Sequence, residues 1–419
     1  MKYAFCLVLT TLAGCLLSPA VNWAADLPAE RQWSEFRGPS GNGHSPDTNV
    51  PVKWDARSLR WQTDLPARGH SSPVMWGDKV FLSGAVANGS IAERHMFCVD
   101  RSTGKLIWDT PVATGKGEQI HKMNSWGTPS CATDGTCVVA FFGPGGLHCL
   151  DMNGKPLWSR ELGSFPGVWG IGASPIFVGD TIVQNCDAEG ASYLVAVDKL
   201  TGQDRWRQPR ADTPRGGWST PVLSVTPQGT ELLLNGEFGI DAYNPETGQP
   251  LWNCRGFNGR GTPMPVVGNG LVYVVNGKAG DVYAVRSGGR GDVTQSHMAW
   301  NTPRRGGRDL PSPILVGDTL VVFGMAGVVT GYDAHDGTEL FKERLGGNYS
   351  GSPILVDGLV YALTETGEVN VLKIGRTMEL VSRNRIPVDD DEIFRSSPTT
   401  AEGMLLIRSD RRLYCIGNP

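Results

Sequence analysis

The sequence predicts an all-β fold, an eight-bladed β-propeller of four-stranded blades closed by pairing of an N-terminal strand with the last C-terminal blade. Three observations predict it. A Ser-Pro or Thr-Pro step, once Met-Pro, opens an apolar run eight times, at Pro73, Pro129, Pro175, Pro221, Pro265, Pro313, Pro353 and Pro398, and a period in the forties belongs to propeller blades or helical hairpins. The runs themselves, such as Val80-Phe81-Leu82, Leu271-Val272-Tyr273-Val274-Val275 and Leu320-Val321-Val322-Phe323, are short, rich in β-branched and aromatic residues and bounded by turn pairs such as Gly-Asp, as strands joined by hairpins are. Nowhere in the mature chain does a stretch of eleven or more residues combine helical apolar spacing with freedom from Gly and Pro, so helical hairpins are disfavoured.

Within each repeat the chain passes through a small residue at one strand position: Cys98, Cys149, Ala196, Ala242, Ala284, Gly331, Val371 and Cys415. All but Val371 are no larger than cysteine, as expected where neighbouring sheets pack closely. In the first four repeats an Asp or Asn follows, then a Gly turn, then a tryptophan expected to dock between blades: Trp108, Trp158, Trp206 and Trp252. The fifth repeat is degraded, with Trp300 in place to fill the slot. The sixth keeps Asp333 and Gly337 but ends in Phe341, and the seventh is degraded. The eighth stops at Pro419 before its outer strand, and Leu59-Arg60-Trp61 reads like Leu106-Ile107-Trp108. An N-terminal strand carrying Trp61 therefore completes the last blade and removes an open sheet edge.

The chain divides into a leader (1–25), a lead segment (26–57) and the propeller (58–419). Lys2, the apolar run 4–17 and the Pro19 break make residues 1–25 an export signal, too short in its apolar part to span a bilayer. Cleavage falls after Ala20 or around Ala24-Ala25; the alternative is a lipobox, Leu12-Ala13-Gly14-Cys15, placing a lipid on Cys15. Residues 26–57 read either as a flexible lead or as a plug across the ring.

The 55 Gly and 28 Pro are spread through the repeats, as turn residues of a many-stranded protein are. A formal charge of -4 offers no basic field for nucleic acid. Cys98, Cys149 and Cys415 read as small buried hydrophobes, while Cys131 and Cys137 flank a turn that a bridge would span only as a three-residue loop. The acidic run Asp389-Asp390-Asp391-Glu392 reads as a solvated loop. There is no nucleophile elbow, phosphate-binding loop, dinucleotide fingerprint or zinc motif, and the seven histidines show no ligand spacing. No metal site and no catalytic residue is assigned.

The stretch Tyr193-Leu194-Val195-Ala196-Val197-Asp198-Lys199-Leu200-Thr201-Gly202, followed by Trp206, resembles the PQQ-type propeller repeat. That repeat is shared by quinoprotein dehydrogenases and by the lipoprotein propeller of the outer-membrane β-barrel assembly machinery. The opening Trp33-Ser34-Glu35-Phe36-Arg37-Gly38-Pro39 is similar to exported PQQ-like propeller proteins, and the resemblance covers nearly all of the mature chain. On function it divides, because one scaffold carries enzymes and binding modules alike. The enzyme branch carries an adjacent Cys-Cys pair over the cofactor, together with insertions supplying calcium ligands and a catalytic Asp. Here no two cysteines are adjacent and the blades are minimal.

Residues three to six places before each blade proline should enter the innermost strand from one rim. They include Arg68, His70, Asn124, Trp126, Trp169, Arg215, Trp218, Arg260, Arg308, Asp309, Tyr349 and Arg395. Two accounts stand for them: inter-blade packing, with Arg stems covering aromatic faces, or a funnel for an anionic, partly planar ligand. The sequence thus predicts an exported, non-catalytic and monomeric propeller that uses one face of the ring in envelope biogenesis. Its partner is another envelope protein or an anionic small molecule; nucleic acid is not expected, and membrane contact comes only through a lipid on Cys15. No cofactor is expected, the alternative being a dehydrogenase of alcohols or sugars holding PQQ with calcium.

Overall fold

The computed structural model describes Met1 and residues 33–418, apart from 211–217, 279, 305–306, 308–309 and 390. The leader with Cys15, and the rim candidates Arg215, Arg308 and Asp309, lie outside the described residues. Eight antiparallel sheets form a ring of four-stranded blades, spanning residues 74–116, 132–160, 176–210, 222–255, 266–302, 314–344, 354–385 and, for the last, 399–416 with Leu59–Asp64. Leu59–Asp64 pairs antiparallel with Arg412–Ile416, with Trp61 opposite Cys415, so first and last residues of the ring share one sheet.

The recurring small residue has a different cause from the one expected. It faces the docking aromatic on the adjacent strand: Cys98 opposite Trp108, Cys149 opposite Trp158, Ala196 opposite Trp206, Ala242 opposite Trp252, Ala284 opposite Trp300 and Gly331 opposite Phe341. A short side chain there lets the ring lie across its own sheet, and a Cβ on Gly331 would strike the Phe341 ring. The indole then covers the turn glycine of the next blade. A Cβ on Gly104 would come within 2.6 Å of Trp61, and one on Gly154 within 2.6 Å of Trp108. Each indole N–H also donates to a carbonyl of that next blade, Trp61 to Arg101 (2.9 Å), Trp158 to Lys199 (2.8 Å) and Trp206 to Pro245 (3.1 Å). Trp252 instead lies beneath a strap from the fifth blade, whose Gly291–Asp292 pairs parallel with its strand.

At the centre, the residue before each blade proline makes a second inter-blade contact. The backbone N–H of Ser72 donates to the Ser130 hydroxyl (2.8 Å), Ser130 to Ser174 (2.9 Å) and Ser174 to Thr220 (2.9 Å). On the far side Met264 donates to Ser312 (3.0 Å), Ser312 to Ser352 (2.9 Å), Ser352 to Ser397 (2.8 Å) and Ser397 to Ser72 (2.9 Å). Met264 has no hydroxyl, so the relay opens once, between Thr220 and Met264. This explains the Ser-Pro and Thr-Pro signal and corrects one assignment. In the second blade the equivalent of the proline is Cys131, because Ala132 pairs with Val139 as Val74 pairs with Phe81. Pro129 sits two residues early. The same register puts Cys131 past the end of the Cys137 hairpin, and both thiols are free and buried.

Residues 33–54 form a plug rather than a loose lead. The Trp33 carbonyl accepts from Met75 N–H (2.8 Å) and that of Ser34 from Thr133 N–H (2.9 Å). His44–Ser45 adds a parallel strand to Ile354–Val356, and Arg37 donates to the Pro313 carbonyl (2.8 Å). Further on, the Val52 carbonyl accepts from the Ser382 hydroxyl and Asn384 (2.9 Å), and Trp54 N–H donates to Asn384 (3.0 Å). Ser382 stands opposite Val371, where other blades carry an aromatic, so the lead segment fills the slot that the degraded seventh repeat leaves empty. The acidic run is not simply solvated: the buried Glu392 carboxylate accepts from Tyr414 Oη (2.7 Å) and Arg412 (2.8 Å), and Asp389 also pairs with Arg412 (2.7 Å).

Candidate functional site

A cavity of about 270 Å³ opens on the axis of the ring, lined from the plug side by Phe36. The chain enters each blade in extended form, so alternate residues face the axis. The residue three before the blade proline, or before Cys131 in the second blade, lines the cavity in every blade: His70, Thr128, Gly172, Trp218, Thr262, Leu310, Ser350 and Arg395. Those one place before it line it too in seven of the blades, as Ser72, Ser130, Ser174, Met264, Ser312, Ser352 and Ser397. Counting at offsets of one and three, with the second blade aligned on Cys131, would have found Thr128, Thr262, Leu310 and Ser350. His121, Met123, Lys278 and Met325 come from the connecting loops, for which the repeat carried no signal.

Of the rim residues expected from sequence, His70, Asn124, Trp169, Trp218, Arg260 and Arg395 line this cavity. Arg68, Trp126 and Tyr349 do not. Arg68 is two-thirds exposed and pairs with Asp410 (2.8 Å). Trp126 donates to the Glu118 carbonyl (3.0 Å) and covers Gly117. Tyr349 lies four places before its proline and so turns into the sheets, where it is buried against Phe323 and its hydroxyl accepts from Asn370 (2.9 Å).

The cavity residues form a cationic and aromatic mouth. The Arg260 guanidinium lies 4.9 Å from the Trp169 ring centre and 6.0 Å from that of Trp218, an arrangement in which the ring quadrupoles attract the charge. No carboxylate among the described residues pairs with it, and its Nε is buried without a partner. Trp169 is held by Asn124, whose amide donates to the Trp169 (2.8 Å) and Ile171 (2.9 Å) carbonyls, and its ring meets that of His121 at a tilt of 38° with centres 4.7 Å apart. Trp218 Nε1 donates to the Gly170 carbonyl (2.7 Å). Arg395 pairs with Glu365 (3.1 Å) and reaches the Lys122 carbonyl (3.1 Å). His70 is neutral: burial, then the nearby Arg395 and Arg408, push its pKa down to about 3.

PQQ with calcium does not fit these residues. The described lining contains no carboxylate and no cysteine, whereas calcium requires several oxygen ligands, carboxylates foremost. Among the described residues no group of three or more His, Cys, Asp or Glu is placed to hold a metal.

The sequence pattern of the family described as outer membrane protein assembly factor BamB matches residues 47–192, 190–287 and 278–380. The BamB of Burkholderia pseudomallei is 23% identical over 336 residues, 71% of this chain and 82% of its own length. The crystal structure of BamB from Moraxella catarrhalis superposes with a TM-score of 0.60 at 16% identity, covering 86% of this chain and 99% of that one. A europium-containing methanol dehydrogenase superposes with a TM-score of 0.70 at 12% identity, covering 92% and 90%, a likeness that shows the fold alone. With matches spanning most of its blades, the chain belongs to the PQQ-repeat propeller family described as outer membrane protein assembly factor BamB.

Proposed function

We propose that this protein is an exported, non-catalytic propeller of the cell envelope that binds another envelope protein through the cationic, aromatic face of its ring and so serves outer-membrane protein assembly. Residues 1–25 direct export, and Cys15 is the residue a lipid tether would use. One observation carries the reading. The mouth gathers Arg260, Trp169, Trp218 and Arg395 around a cavity whose described lining has no carboxylate to serve as base or metal ligand. Aromatic and arginine side chains in a partly desolvated pocket are what protein interfaces concentrate their binding energy in. Family membership supports the assembly role, and the low-identity likeness to dehydrogenases adds no chemistry.

Site-specific photo-crosslinking in cells tests this. A crosslinker replacing Met123 at the mouth should capture an outer-membrane assembly component, whereas one replacing Leu200, exposed on a turn at the opposite end of the blades, should not. Equal capture from both positions would overturn the choice of face. Alcohol-dependent dye reduction by the purified protein supplied with PQQ and calcium would overturn the non-catalytic reading.

A further inference from the structure

Six serine hydroxyls, those of Ser72, Ser130, Ser174, Ser312, Ser352 and Ser397, line the axial cavity. Each accepts a backbone N–H from the preceding blade. A hydroxyl has one proton to donate as well as lone pairs to accept with. None of the six donates to an acceptor among the described residues, so a ring of O–H groups is left facing the axis with its donors unspent.

Two buried cations stand behind that ring. Arg37 is 1% exposed and donates only to carbonyls, those of Gly41 (3.2 Å), Asn42 (2.8 Å), Ser312 (3.3 Å) and Pro313 (2.8 Å). Arg408 is fully buried and donates to the Ser71 carbonyl (3.1 Å), the Ser71 hydroxyl and the Ser83 carbonyl (2.8 Å), leaving its Nε and Nη2 without partners. No carboxylate among the described residues forms an ion pair with either; Asp410, paired to Arg68, acts on Arg408 only at a distance. Carbonyl dipoles engage the Arg37 N–H groups and one nitrogen of Arg408 but leave the net charge in place, and a buried charge without a counterion is strongly unfavourable. Arg37 holds the backbone of Ser312, and Arg408 holds that of Ser71, next to Ser72. Both cations therefore adjoin the hydroxyl ring. In the same cavity the buried Nδ1 of His70 has no partner.

We infer that the channel below the mouth is an oxyanion site, in which the serine ring and His70 donate hydrogen bonds and the buried Arg37 and Arg408 supply the compensating field. Donors without acceptors and cations without carboxylates are both satisfied by one guest, a carboxylate or phosphate oxyanion. A neutral polyol would leave the charges unmatched, and a cation would be repelled. The site is independent of the docking reading, since loss of partner capture leaves it standing. The oxyanion comes either free from solution or on the end of a chain.

The test is calorimetry at constant ionic strength with two probes: inorganic phosphate, and an acidic peptide with a free C-terminal carboxylate. Saturable binding with one site per chain is expected. Binding of phosphate identifies a free oxyanion as a sufficient guest, and binding of the peptide alone identifies a chain-borne carboxylate. The double substitution Ser72→Ala with Ser397→Ala should weaken binding more than tenfold, because hydrogen bonds to a charged group are worth about 1.5–3 kcal/mol each. That variant also loses inter-blade bonds, so the unaltered protein supplies a second readout: the side-chain nitrogen resonances of His70 should shift saturably over the same probe concentrations. Absence of saturable heat with both probes, or saturation without any response at His70, would overturn the site.

Discussion

Five docking tryptophans, Trp61, Trp108, Trp158, Trp206 and Trp300, occupy two places at once, against a small residue of their own blade and over a turn glycine of the next. Trp206→Ala is therefore expected to lower stability by about 3–5 kcal/mol, the usual range for emptying a buried tryptophan site, as measured by denaturant unfolding. Gly331→Val should act from the opposite side. Its new side chain meets the Phe341 ring, and overpacking costs about 1–3 kcal/mol. His70 gives a pH prediction. Its folded pKa, about 3, lies below the value of about 6.5 for an unfolded histidine. Between those limits the unfolded chain binds a proton that the folded one does not, so stability falls as pH drops from about 6.5 towards 3. His44 and His148, also lowered by burial first, act in the same direction, whereas His95, raised chiefly by its hydrogen bond to Asp109, opposes them. His70→Gln should remove one proton's worth of slope in that window, read as thermal midpoint against pH.

Among the elements, the strands were legible and the plug was only half so. Alternation and turn residues mark a strand because its side chains do the packing. The plug packs largely through its main chain, using the carbonyls of Trp33, Ser34, Gly43 and Val52, and such contacts leave no side-chain period to read. Of the side chains that also fix it, Trp33 is buried in the core and His44 is hydrogen-bonded to the Leu315 carbonyl (2.8 Å), while Arg37 is a residue type seldom buried. Arg37→Ala should orphan four carbonyls and lower the melting temperature markedly, while Arg57→Ala, whose exposed partner is Asp55, should leave it unchanged. Differential scanning calorimetry of the two variants separates a structural plug from a passive lead.

At the scale of the whole molecule, closure by Leu59–Asp64 makes the N-terminus indispensable. A chain beginning at residue 26 should melt like the full protein, whereas one beginning at residue 65 loses Trp61 and exposes the edge of Arg412–Ile416, which invites aggregation. Equal midpoints would refute the closure. The ring was readable because its repeats are local and its period is carried by prolines and tryptophans. The cavity was readable only in part, because Pro129 displaced the count in the second blade and the alternation holds only close to each proline: Tyr349 turns inward, whereas Trp169 lines the cavity and Arg68 does not. The open step in the hydroxyl relay, between Thr220 and Met264, lies between the fourth and fifth blades, diametrically across from the splice that joins the eighth blade to the first. At this junction the strap of Gly291–Asp292 binds the periphery, while the inner edge lacks the hydroxyl contact found at every other one. At the bore the Ser219 hydroxyl (3.2 Å) and the Asn235 amide (3.0 Å) still donate to the Pro263 carbonyl, so the junction is fastened at its rim and short of one bond at its bore, the arrangement of a clasp whose jaws are the two half-rings. Amide exchange at Thr220 should accordingly outpace that at Ser130 and Ser174, and the aperture beside Arg260 should widen first when the protein is warmed.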